Sequence, residues 1–336
     1  RKALLVSGQP PLTVTPCPVR PMPRERRGLL QTPPLRQRMK TVLEAGLSPT
    51  RLDTYLTCPV RFAFAHLCRL HPLEEVNEGD DPAAVGQLIH QVLQETYAPY
   101  LDRTVHVGDI SPDQLGARFV AALEASPLRH QLPPDSYFML ELAGSLRLRR
   151  YLERQPETMH IVALERCLRA HVDRRERTYV LRGTLDRIDR RKGALHVLDY
   201  KTGGIVRPKA TIWEDTDFWQ RMELWTPRSA TCNGAELLAE TAEHLPSVQL
   251  PCYLLLCSQA KLGPVRDAAW VHLRENGEEI FLLGEDMEEM LRDAVLSIRI
   301  PALLGFIIQH METTEEFSPR AGQHCGWCPY TTLCLQ

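Results

Sequence analysis

No apolar run approaches the ~18 residues a membrane-spanning helix needs, so no membrane span is expected. No charged start followed by an apolar stretch and a small-residue cleavage site is present, so a secretory leader is not expected either. Charge of one sign is scarce in net terms. Forty Lys and Arg face 42 Asp and Glu, a formal net charge of −2, so a nucleic-acid surface would have to come from local clustering. There is no GxxxxGK[ST], hence no P-loop in this chain. Internal repeats are missing. An initial Met is missing too: the chain starts at Arg1, and a piece of a longer protein is the expectation.

Cysteine is not scarce. Ten occur, and without a leader they point to a reducing, cytoplasmic setting, where clustered thiols bind metal more often than they pair as disulfides. The 336 residues have room for one large domain or two modest ones.

Residues 1–40 carry eight prolines and nine Lys/Arg against one acid, Glu25. Proline removes backbone donors and blocks regular structure, so residues 1–44 are expected to be a basic linker before a domain over 45–336. Ser48 followed by Pro49 reads as a helix start, with Leu52, Tyr55 and Leu56 at helical spacing. In residues 81–97, Val85, Leu88, Ile89, Val92 and Leu93 form one stripe of an amphipathic helix, and Gly86 and His90, four apart, share a face. A mostly helical insertion is expected within about 100–158. Then the pattern changes to β-branched and apolar runs over 160–172, 177–190 and 194–203, with Arg191-Lys192-Gly193 as a turn, the signature of an antiparallel meander. Residues 204–246 read as irregular, 248–260 as a helix on the sheet, 266–275 and 278–284 as strands, and 285–311 as a long helix.

Two carboxylates interrupt the meander where apolar residues are expected. Asp186 and Asp199 lie near the ends of successive strands, and burying either costs free energy unless it is paired or holds a cation. Converging oxygen donors of this kind suit Mg²⁺ or Mn²⁺. Lys201, two residues beyond Asp199, lies on the same strand face. A lysine beside such a metal stabilises a hydroxide or a pentavalent phosphate, a constellation for phosphodiester hydrolysis. His90 is a candidate nitrogen ligand. Each signal has a bland alternative: Asp-x-Lys is commonly a surface ion pair, and a lone His is commonly structural.

The order GxxDRID…DYKTG (183–203), with GxxxH upstream (Gly86, His90) and QxxxY downstream (Gln249, Tyr253), resembles the RecB-type branch of the PD-(D/E)XK nucleases. The resemblance spans about residues 45–336. It implies an α/β fold with a restriction-endonuclease-like core, a central mixed sheet flanked by helices, and helical insertions. It also implies that His90, Asp186 and Asp199 bind the divalent metal, that Lys201 is catalytic, and that Gln249 and Tyr253 sit by the site or the DNA strand. Glu165 matches a weaker acidic position; a surface strand carboxylate is the equal alternative.

Cys325-x2-Cys328-x5-Cys334 places three thiols in ten residues, a strong metal-ligand signal that lacks a fourth donor. Cys58, followed by Pro59, is the best candidate for it. A Cys-Pro at the start of the domain and this trio at its end resemble the iron–sulfur staple of AddB-type helicase–nuclease subunits and of CRISPR-adaptation nucleases. The resemblance implies a [4Fe-4S] cluster on Cys58, Cys325, Cys328 and Cys334; zinc on the same thiols is the alternative. The expected function is a metal-dependent DNA exonuclease acting in double-strand-break repair and recombination, with a helicase–nuclease partner subunit and DNA as its substrate. The rival readings are a non-catalytic DNA-end-binding scaffold and a stand-alone or CRISPR-adaptation exonuclease.

Overall fold

A computed structural model describes residues 27–71, 82–229 and 232–334. The basic stretch 1–26, with Cys17, lies outside the described residues. The first half of the chain runs β1 (Leu29–Leu30), α1 (Pro33–Glu44), α2 (Pro49–Thr57), α3 (Pro59–Phe62), α4 (Pro82–Tyr97), β2 (Thr104–His106), α5 (Pro112–Ala125), α6 (Leu128–Gln131) and α7 (Pro134–Glu153). The second half runs β3 (Thr158–Arg174), β4 (Arg177–Arg191), β5 (Ala194–Lys201), α8 (Thr216–Leu224), α9 (Gly234–His244), α10 (Gln249–Gln259), β6 (Val265–His272), β7 (Glu278–Phe281), α11 (Glu289–Ala294), α12 (Ile300–Thr313), β8 (Glu316–Phe317) and α13 (Thr331–Cys334).

Six strands form one mixed sheet in the order β2-β3-β4-β5-β6-β7. The meander β3-β4-β5 is antiparallel, as its alternation and turn require; Lys192 and Gly193 take the left-handed backbone of the tight connection. β5 and β6 are parallel, so the chain must cross over between them, and α8, α9 and α10 fill that crossover. Helices cover both faces. On one face α2, α10 and α12 pack with Leu181, Leu185, Ile188, Val197 and Trp270. On the other α4, α5 and α7 pack with Ile161, Leu198, Tyr200 and Val271. This is the mixed α/β architecture expected from the sequence, with the helical insertion forming the second layer. Among the described residues, no helix is long and apolar enough to cross a membrane.

Two stretches differ from expectation. Residues 33–44, read as linker, form α1, which buries Leu35, Met39 and Leu43 against the first core. The Pro33-Pro34 pair that suggested a linker instead starts the helix, where a missing N–H costs nothing. Residues 204–246, read as irregular, hold α8 and α9; Trp213, Trp219 and Phe218 pack together there, with the Trp213 and Trp219 rings stacked at 5.4 Å.

Arginines 187 and 191 also depart from expectation. By sequence, the basic runs 146–154, 173–177 and 187–192 are candidates for lining a DNA channel, with a solvated face the equal alternative for each, but most side chains of the last two are spent on the fold. Arg187 is fully buried and forms a two-pronged pair with Asp189, both bonds at 2.6 Å, with its guanidinium over the Tyr97 ring. Arg191 is held by Asp189 and Glu279. Arg174 and Arg175 donate to carbonyls of residues 222–225, and Arg177 pairs with Glu312.

Candidate active site

The candidate residues come from five elements. α4 brings His90, β3 Glu165, β4 Asp186, β5 Asp199 and Lys201, and α10 Gln249 and Tyr253. Two glycines let these elements close in. A Cβ on Gly86 would stand 3.2 Å from Thr202 Oγ1, in the loop just after Lys201. A Cβ on Gly183 would stand 2.8 Å from Leu256 of α10. The Gly of GxxxH therefore lets α4 approach the end of β5, and the Gly of GxxD lets α10 lie against β4.

His90 Nε2 lies 3.0 Å from the Tyr200 carbonyl, which can only accept, so Nε2 carries the proton and Nδ1 presents its lone pair. That lone pair faces two carboxylates: Asp186 Oδ2 at 3.4 Å and Glu165 Oε1 at 4.0 Å. One donor atom from each of His90, Glu165 and Asp186 lies within 4.8 Å of the others. Three converging lone-pair donors repel one another unless a cation sits between them, and one nitrogen with hard oxygens suits Mg²⁺ or Mn²⁺. Glu165 reaches the group from a left-handed backbone, φ +42°, directly across from Asp186 between the paired residues 164↔187 and 166↔185. A non-glycine residue holds that conformation at a cost of about 1–3 kcal/mol, and such strain concentrates at functional positions.

Asp199 stands beside this group and is organised differently. Its Oδ1 accepts from Gln249 Nε2 at 2.9 Å and Tyr253 Oη at 3.2 Å, and Gln249 Nε2 also lies 2.8 Å from Tyr253 Oη. Its Oδ2 is in ion contact with Lys201 Nζ at 2.7 Å but has no aligned hydrogen-bond donor. Burial and the neighbouring Asp199 push the Tyr253 hydroxyl far up, so it stays a neutral donor. The expected QxxxY pair is thus brought to the expected Asp199–Lys201 pair.

A residue the sequence reading missed completes the support. Asp53 of α2 accepts from Ser247 Oγ and from the Val248 N–H, both at 2.6 Å, at the start of α10. No side chain of Val248, the residue flanking α10, caps that helix; the carboxylate from α2 does so, favoured by the helix dipole. Burial raises the Asp53 carboxyl to about 6 despite those two donors. Nothing in its sequence neighbourhood marks it, because its partners lie almost 200 residues away.

Burial raises the Asp186 carboxyl to about 8, with the Asp199 charge adding to the shift and the Tyr200 N–H opposing it. A carboxyl whose folded value exceeds its ordinary one binds its proton more tightly when folded. Its contribution to stability therefore falls as pH rises from about 4 to about 8. Thermal melting in EDTA should show that fall, and Asp186→Asn should flatten it. A divalent cation competes with the proton, so added Mg²⁺ or Mn²⁺ should raise Tm more at pH 8 than at acid pH. Equal pH slopes for the two proteins would remove Asp186 as the cause.

Cys58 and the distant trio Cys325, Cys328 and Cys334 line one cavity together with Arg61, Arg320 and His324. Among the described residues their sulfurs do not gather into a group as tight as that of His90, Glu165 and Asp186. Cys58 is the residue that ends α2, so the same helix carries Asp53 toward α10 and a thiol toward this cavity. Cys252 and Cys257 are buried on α10, and burial pushes both thiols up, Cys257 to about 12.

The sequence profile of the PD-(D/E)XK nuclease superfamily matches residues 46–220 and 229–335. No curated protein matches the chain.

Proposed function

The chain belongs to the PD-(D/E)XK nuclease superfamily, and we propose that it is a divalent-metal-dependent DNA exonuclease. The observation that carries this reading is the convergence of His90 Nδ1, Glu165 and Asp186 beside the Asp199–Lys201 pair. His90, Glu165 and Asp186 would hold the metal, and Asp199, with an oxygen free of aligned donors, is the further candidate ligand. When bound, such an ion lowers the pKa of water and offsets charge on the scissile phosphate.

The remaining roles belong to the chain itself. The Lys201 ammonium, a third exposed, sits where it can stabilise negative charge developing on the phosphate. Asp199 fixes that ammonium. Gln249 and Tyr253 fix Asp199, and Asp53 fixes the helix end from which Gln249 projects.

We assign the cysteine cavity to a [4Fe-4S] cluster on Cys58, Cys325, Cys328 and Cys334. One observation supports it. A cluster held by thiolates is anionic, and Arg320, lining the cavity, has a buried Nη1 with no acceptor. Such a cluster would join the two ends of the domain, as a long-loop cross-link does. By its resemblance to AddB-type subunits, the chain is assigned to double-strand-break repair alongside a helicase–nuclease partner.

Protein purified without oxygen should degrade end-labelled DNA with Mg²⁺ and not with EDTA, and should carry close to four irons per chain. Folded, iron-loaded protein that binds DNA ends without cutting them would replace this reading with the scaffold. An iron-free protein that cuts would remove the cluster alone.

A further inference from the structure

Beyond the metal-ligand group the sheet face is left uncovered. β3 and β4 continue side by side, and the residues facing solvent pair as Cys167↔Thr184 and then Arg169↔Arg182. These are successive rungs of the ladder on which Glu165 and Asp186 form the first. From the acidic rung to the arginine rung is four residues, about 13 Å along the strand. The stretch Gly46–Ser48 runs along the far side of β4, with Leu47 bridged to Leu181, and raises a wall that carries Arg51. The result is a groove of about 530 Å³ that begins one rung beyond Glu165 and Asp186.

Its chemistry is one-sided. Arg51, Arg169 and Arg182 line it, and no carboxylate or aromatic ring does. Among the described residues, no acid pairs with any of the three; the Arg51 guanidinium donates to the Gly46 carbonyl. Arg187, Arg191, Arg177 and Arg221, by contrast, are each matched to a carboxylate. Three guanidinium groups left together without a counter-charge repel one another until an anion arrives. Arg forks fit phosphate oxygens, and backbone contacts of this kind position a strand without reading its bases. The floor is two β-strands wide, with strands about 4.8 Å apart, which fits one sugar–phosphate chain.

We propose that this groove holds the phosphodiester backbone of a single DNA strand, just beyond the bond to be cut. The proposal rests on the nuclease reading above. Without a ring to stack on, the groove grips phosphates alone, so binding there is independent of base and steep in salt.

The test uses fluorescence anisotropy of labelled oligothymidylate and oligodeoxyadenylate in EDTA, so that no cleavage intervenes. Arg169→Gln with Arg182→Gln removes two phosphate contacts. The salt slope should flatten by about 1.4, and affinity at about 0.1 M salt should fall about 25-fold, equally for both bases. Both side chains are exposed, so Tm should hold; Lys192→Gln at the far hairpin turn is the control and should change neither quantity. An unchanged slope and affinity in the double variant would overturn the proposal. A loss confined to duplex DNA would overturn it as well.

Hydrolysis of bis(p-nitrophenyl) phosphate with Mn²⁺ separates the groove from the chemistry, because that ester is too small to reach the arginines. The double variant should keep the wild-type rate. Wild-type protein that holds the single strand through these arginines yet leaves the ester intact would sink the nuclease reading and uphold the groove.

Discussion

Lys201→Ala should lower metal-dependent DNA cleavage about a thousandfold, a loss typical of removing one preorganised charge aimed at a developing anion. That factor corresponds to about 4 kcal/mol of transition-state stabilisation. The expectation comes from how firmly the ammonium is placed. It stands 2.7 Å from Asp199 Oδ2, and Asp199 is held on its other oxygen by Gln249 and Tyr253. The side chain is a third exposed, so its ion pair contributes little to the fold, and Tm should stay within a few degrees. Affinity for DNA should change far less than kcat, which separates a charge acting on the phosphate from one that merely attracts the strand. Single-turnover cleavage of end-labelled DNA is the measurement. A variant within tenfold of wild type would reduce Lys201 to an ion-pair partner of Asp199.

Arg187→Ala should cost about 3–5 kcal/mol of stability and lower Tm by about 10 °C. Arg187 and Asp189 are both fully buried, and the guanidinium also donates to Tyr151 Oη and Gln155 Oε1. Removing the arginine leaves Asp189 with Arg191 alone and strands the Gln155 oxygen, and an incompletely matched buried charge is costlier than the pair was valuable. Arg187→Met combined with Asp189→Leu should recover most of the loss, because no lone charge then remains in the core. Denaturant unfolding of the single and double variants decides it. A single variant as stable as wild type would mean that water enters the site and solvates Asp189.

These two residues mark the limits of reading the chain by neighbourhood. Lys201 was legible because its relation to Asp199 is local: two positions on one strand share a face. Gln249 and Tyr253, four apart on a helix, were legible for the same reason, as were the strands of the meander and the helix carrying His90. Arg187 directly follows the candidate carboxylate Asp186 and pairs with Leu198 of β5, and its basic run reads as a candidate DNA contact because a basic run ordinarily faces water. Only the ring of Tyr97, Tyr151 and Gln155, from segments up to 90 residues away, reveals a buried pair. Residues 33–44 misled in the same way: two prolines and scattered basic residues suggested a tether, and the apolar positions 35, 39 and 43 gained meaning only with a core to face.

The sequence by itself determined the fold class and the order of the acidic, basic and cysteine motifs, because periodicity, turn chemistry and short spacings are set within a few residues. The tertiary structure alone decided which nitrogen of His90 faces the carboxylates, since the Tyr200 carbonyl holds the other. It alone decided that Glu165 joins them, through a left-handed backbone that no spacing predicts. It also decided that Asp53 caps α10, and that Arg51, Arg169 and Arg182 share an open groove while Arg187 is sealed in the core. Each of those outcomes depends on a partner far along the chain. A charged residue's role is set by whether its surroundings supply a counter-charge or leave it to find one in a ligand.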